Sequence, residues 1–146
     1  MLKGISPLLS PELLKVLAEM GHGDRLVIGD ANFAAAAMAR EHILVRADGV
    51  PSDALAGAVL ELFPLDEWAP APVILMGVKD GNGALQPLDQ CRKIRQVVAE
   101  HDPKAAARCQ VVDRAGFYEQ ARSAYAVVAA GEANRYGCVI FQKGIC

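Results

Sequence analysis

Aromatic side chains make up only 5% of the 146 residues, and there is a single Trp. The core must therefore rely on Ala, Val, Leu and Ile. A surplus of either charge is also missing: fifteen Lys and Arg face seventeen Asp and Glu, for a net charge of -2. That balance argues against a domain-wide electrostatic grip on nucleic acid. The hydrophobic runs are short and interrupted, so no membrane span is expected. The four cysteines, at 91, 109, 138 and 146, form no CxxC pair and have no His at zinc-ligand spacing, so no metal site is expected. The opening Met1-Leu2-Lys3-Gly4 meets Pro7, Pro11 and Glu12 too soon to read as a signal peptide. Reduced thiols in a cytoplasm are the expected state. Phosphate loops of the Gly-x-Gly-x-x-Gly or Gly-Lys-Ser kind are absent, and so is a Gly-x-Ser-x-Gly elbow.

What is present is a chain 53% hydrophobic and 22% charged, the balance of a compact fold. Its length suits a single domain over residues 1–146. Ser10-Pro11-Glu12 starts a helix with a capping hydroxyl, a proline in the first turn and an acid near the positive end. Leu13, Val16, Leu17 and Met20 share one face, and Gly21 stops the helix. Strands are expected over 25–29, 42–46, 72–78, 109–112, 126–129 and 138–142. Helices are expected over 52–62, over 88–100 and from the Asp113 cap to about Ser123. Asp80-Gly81-Asn82-Gly83 is a turn, and the Ala34–Ala37 run is a helix segment or a packed loop. Alternating strands and helices predict an α/β sheet with helices on its faces. The last two strands have no helix between them, so part of the sheet is antiparallel or rearranged.

Three polar clusters stand out. In Gly21-His22-Gly23-Asp24, glycines leave an imidazole uncrowded, which suits proton transfer. Asp30 and Asn32 follow a hydrophobic strand, where α/β sheets bind ligands; a helix cap and solvated loop explain the same residues equally well. Arg114 and Tyr118 are four apart and share a helix face. There a guanidinium beside a phenol would favour the phenolate, while a surface Arg packed on a ring is the plainer reading. Tyr136-Gly137-Cys138 opens the last strand and is weak alone. Trp68, among Pro64, Pro70 and Pro72, reads as a packing residue rather than a sugar-stacking platform, though sugars favour such faces. His42 and His101 stand apart from any ligand cluster, and Arg92, Lys93 and Arg95 read as a solvated helix face.

Leu2-Lys3-Gly4-Ile5-Ser6-Pro7-Leu8-Leu9-Ser10-Pro11-Glu12-Leu13-Leu14, then Met20-Gly21-His22-Gly23-Asp24, then Asp30-Ala31-Asn32-Phe33 resembles the opening of the L-fucose mutarotase branch of the family that also contains D-ribose pyranase. Arg46-Ala47-Asp48-Gly49, Pro64-Leu65-Asp66, Phe117-Tyr118-Glu119, Gly131-Glu132, Tyr136-Gly137 and Lys143-Gly144 continue the match over nearly the whole chain. The resemblance implies a three-layer α/β/α sandwich of the ribose pyranase type. It implies an isomerase that interconverts the anomers of a free monosaccharide with no metal and no organic cofactor. It also implies a homo-oligomer, a decameric ring in bacterial members, with sites near subunit contacts.

Residue by residue, the resemblance makes His22 the proton donor and Tyr118 its catalytic partner. Asp30 and Arg114 become sugar-binding residues, joined by the segment Tyr136, Gly137 and Cys138 and by Asp66. Two positions depart from the family pattern. Cys138 stands where an Asn is usual, and a thiol replaces an amide poorly as donor and acceptor. Ala34 stands where a Pro commonly follows Asn-Phe. The chemistry implied is general acid–base ring opening and reclosure. Two competing readings stay open: a D-ribose pyranase, and a non-catalytic sugar-binding or transport-accessory protein.

Overall fold

The computed structural model describes residues 2–146. Ser10 opens helix α1 (Pro11–Glu19): its hydroxyl accepts the Leu13 N–H at 3.1 Å, and Pro11 sits where a missing N–H costs nothing. Strand β1 (Arg25–Gly29), the short helix α2 (Ala35–Met38), strand β2 (Ile43–Ala47), helix α3 (Ser52–Leu60) and strand β3 (Val73–Lys79) follow. The turn expected at Asp80 closes a hairpin. Asp80 Oδ1 accepts the N–H groups of Asn82 and Ala84, and strand β4 (Leu85–Pro87) pairs back on β3. The sequence gives no strand signal there, because three residues ending in a proline make a poor ladder.

Helix α4 (Asp89–His101) stops before Pro103 as expected. Asp102 and Pro103 then start a further short helix, α5 (Pro103–Ala106), with Asp102 Oδ1 accepting the Ala105 N–H at 2.9 Å. This is the cap-plus-proline signal of α1 used a second time. Strand β5 (Cys109–Val112), helix α6 (Arg114–Ala121), strand β6 (Ala126–Ala130) and strand β7 (Val139–Gln142) complete the order. Asp113 caps α6 by accepting the Gly116 N–H at 2.8 Å.

The sheet order is β2-β6-β1-β7-β3-β4, with β5 also paired to β3. β6 is parallel to β1 and β2, and β5 is parallel to β3. β7 runs antiparallel between β1 and β3, which is the irregularity expected from the missing last helix. Neighbouring strand residues point to opposite faces. On β1, Leu26 and Ile28 pack with α1, α3 and α4, whereas Val27 packs under α2 and α6. On β3, Val73 and Leu75 separate from Ile74 and Met76 in the same way. Helices therefore cover both faces, giving the α/β/α sandwich. Double coverage is also why β1 and β6 read as unbroken apolar runs.

Candidate functional site

β6 and β7 flank β1 on opposite sides. The connection over residues 131–138 must therefore cross the carboxyl end of β1, the edge where ligands gather in α/β sheets. The Ala31 N–H donates to the Glu132 carbonyl at 2.8 Å and fastens the crossing loop to the chain just past β1. The buried Glu132 carboxylate braces the loop from within. Its Oε1 accepts the Asn134 N–H at 2.8 Å and its Oε2 accepts the Ser52 N–H at 3.3 Å. Tyr136 adopts φ 62°, a left-handed backbone that costs on the order of 1–3 kcal/mol outside glycine. Gly137 beside it has no room for a side chain: a Cβ would stand 2.8 Å from both Gln90 Cγ and Glu132 Cγ.

Under this loop lies a cavity of about 310 Å³. It unites Asp30, Arg114, Tyr118, Tyr136 and Cys138, five of the expected site residues. The cavity adds Asn32, Phe33, Met76 and Arg135. Met76 and Arg135 had no signal in the sequence, since one sits inside an apolar strand and the other is a lone charge in a loop. Asp30 is buried where β1 ends, and its Oδ1 accepts the Asn32 N–H at 2.9 Å. Its own N–H donates to Cys138 Sγ at 3.3 Å. Burial, and then the nearby Asp30 charge, hold the Cys138 thiol well above the usual range. Behind it, burial pushes the Cys91 thiol up to about 11. Cys91 donates to the Tyr136 carbonyl at 2.9 Å, tying the crossing loop to α4.

Arg114 and Tyr118 do share one face of α6, with the guanidinium carbon 4.8 Å from the ring centroid. The cation lies over the ring and not at the phenol oxygen. That oxygen accepts the Ala34 N–H at 3.1 Å. The ring also stacks on Phe33, centroids 4.7 Å apart and planes at 26°. Tyr118 is thus placed from three directions and lines the cavity.

His22 and Asp66 stand elsewhere. His22 precedes β1 and Asp30 follows it, so the strand separates the two by roughly 20 Å. The expected meeting of His22 with Tyr118 does not occur within one chain. At the amino end of β1, the Gly23 N–H donates to the Lys143 carbonyl at 2.8 Å, and the Lys143 N–H donates to the Asp24 carbonyl at 2.8 Å. Gly23 turns the chain there with φ 87°, open to glycine at no steric cost. The Asp66 N–H donates to the Gln142 carbonyl at 3.0 Å, which brings the 64–69 segment alongside.

His22 Nε2 lies 3.2 Å from Asp66 Oδ2. Burial opposes the Asp66 charge, but the Trp68 N–H, the Gln142 amide and His22 outweigh it and hold the carboxyl below its ordinary value. Trp68 is not packed into the core of the chain as expected: it is 71% exposed, with its indole edge-on to the His22 ring at 5.1 Å.

A model of the RbsD / FucU transport protein family matches residues 3–146. The chain is 44% identical over 147 residues to an L-fucose mutarotase of Histophilus somni, covering 99% of this chain and 97% of that one. The structure of FucU from Bifidobacterium longum superposes with a TM-score of 0.87 at 42% identity, over 99% of both chains. The structure of a fucose mutarotase from Streptococcus pneumoniae in complex with L-fucose superposes with a TM-score of 0.86 at 37% identity, again over 99% of both.

Proposed function

Because the chain belongs to the RbsD / FucU transport protein family, we propose that it is an L-fucose mutarotase, an isomerase that interconverts the α and β anomers of the free sugar. The observation that carries this reading is the cavity at the carboxyl end of β1. There a buried carboxylate, a guanidinium and a placed phenol converge in a chain 44% identical to an L-fucose mutarotase.

Anomer exchange needs one group to take the proton of the anomeric hydroxyl and another to protonate the ring oxygen. The carbon–oxygen ring bond breaks, the aldehyde rotates, and the ring recloses on its other face. Asp30 accepts hydroxyl hydrogens of the sugar, Arg114 donates to its oxygens, and Tyr136, Gly137 and Cys138 close over it. Tyr118 is the proton carrier within the cavity.

His22 is the second proton carrier, and it reaches the sugar from another copy of the chain. Its place at the opposite end of β1 and its 39% exposure both suit that arrangement. Asp66 holds the imidazole and stands at the same sugar. The assembly is a homo-oligomer, a decameric ring in the cytoplasm; free buried thiols at Cys91 and Cys138 suit a reducing compartment.

Exchange NMR on L-fucose tests the reading. The protein is expected to accelerate anomer exchange with L-fucose more than with D-ribose. A rate equal to that of buffer for both sugars overturns it, and a preference for D-ribose moves the assignment to a ribose pyranase.

A further inference from the structure

We infer that Trp68 is a sugar-contacting residue, its indole covering the C–H face of the same sugar that His22 serves. The inference rests on the mutarotase reading above and adds a residue to that site. It follows from the hydrogen bonds that hold the backbone under Trp68 beside His22. The Trp68 N–H donates to Asp66 Oδ1 at 2.9 Å, and the other oxygen of that carboxylate lies 3.2 Å from His22 Nε2. The Gln142 amide donates to Asp66 Oδ2 at 2.9 Å and fixes the carboxylate between them. The Arg108 guanidinium donates to the carbonyls of Asp66, Glu67 and Ala69, clamping the segment that carries the indole. The two rings are 5.1 Å apart and edge-on. A monosaccharide is wider than that separation, so a sugar that reaches the imidazole on the side of the indole also meets the indole.

The exposure of Trp68 points the same way. It is the most exposed of the large hydrophobic side chains described, at 71%. An indole standing out from one chain on a braced loop is a contact surface and not part of that chain's core. L-fucose gathers several C–H groups and its methyl on one side, the kind of face an aromatic ring covers. A sugar with hydroxyls on both faces would leave those groups desolvated and unpaired against the ring.

Trp68 is the only Trp in the chain, so intrinsic fluorescence reports on it alone. Titration of the wild-type protein with L-fucose is expected to shift its emission, saturating at the concentration that saturates the NMR exchange rate. The shift is expected to vanish in Asp30→Ala. Trp68→Ala is expected to raise KM about three- to tenfold with a smaller effect on kcat, while Trp68→Phe stays within about twofold of wild type. Light scattering checks that the variants keep the wild-type mass; if Trp68→Ala dissociates, the wild-type titration alone decides. Saturable anomer exchange with a silent indole, or a wild-type KM in an intact Trp68→Ala assembly, overturns the inference and leaves the mutarotase reading standing. Absence of any exchange activity overturns both.

Discussion

In the lining of the cavity, Cys138 Sγ accepts the backbone N–H of Asp30 at 3.3 Å. The thiol therefore sets the backbone that carries the carboxylate proposed to bind the sugar. Cys138→Ala leaves this N–H buried without an acceptor, at a cost of about 1–3 kcal/mol. Urea unfolding is expected to show that loss, together with a raised KM for L-fucose. An unchanged midpoint would mean that the sulfur contact contributes nothing. Cys138→Asn returns an oxygen acceptor to the same N–H and adds a donor facing the sugar, so its KM is expected to fall below that of the wild type.

His22→Ala and Tyr118→Phe are each expected to lower kcat by about 10²- to 10⁴-fold while the fold persists. Since the two groups lie at opposite ends of β1, co-assembling the two variants should restore activity. Random pairing across a symmetric contact gives about a quarter of the wild-type rate. Mixed assemblies as inactive as their parents would show that one chain supplies both groups to each site.

The Asp66 carboxyl is held below its ordinary value by the Trp68 N–H, Gln142 and His22 against the opposing effect of burial. A carboxyl depressed in the folded state adds stability above its unfolded value of about 4, and this is lost as pH falls through the lower folded value. Acid unfolding of wild type and Asp66→Asn should converge at the bottom of that window and diverge above it, with wild type the more stable. Parallel curves across the window would remove Asp66 from the acid response.

Burial pushes the Cys91 thiol up to about 11 and holds Cys138 well above its usual range. At pH 8 an aromatic disulfide reagent is therefore expected to label the exposed Cys146 quickly, and Cys91 and Cys138 only after unfolding. The folded state keeps protons that the unfolded state releases, so stability should fall between about pH 9 and pH 11. Fast native labelling of Cys91 would contradict this.

Much of the fold was legible because its signals are local. Ser10 with Pro11 starts α1, Asp113 starts α6, and apolar runs mark the strands. What escaped is instructive in the same terms. β4 is a ladder of three residues created by its hairpin partner, and α5 depends on a cap that also ends α4. The five cavity residues could be named from the matching motifs, but their meeting depends on strand order, which no local pattern encodes. The exposure of Trp68 was equally hidden, because nearby prolines suggest packing while the bracing comes from Arg108 some forty residues away.

The antiparallel strand β7 also has a consequence for how the chain is made. Without it the sheet is two separate ribbons, one formed by β2, β6 and β1, the other by β3 with β4 and β5. A ribosome releases β7 after both ribbons, so each nascent chain waits with the bare edges of β1 and β3 facing one another. Two chains caught at that stage can trade the missing strand, and the resulting entangled pair would keep the strand pairing while linking two molecules and opening the crossing loop.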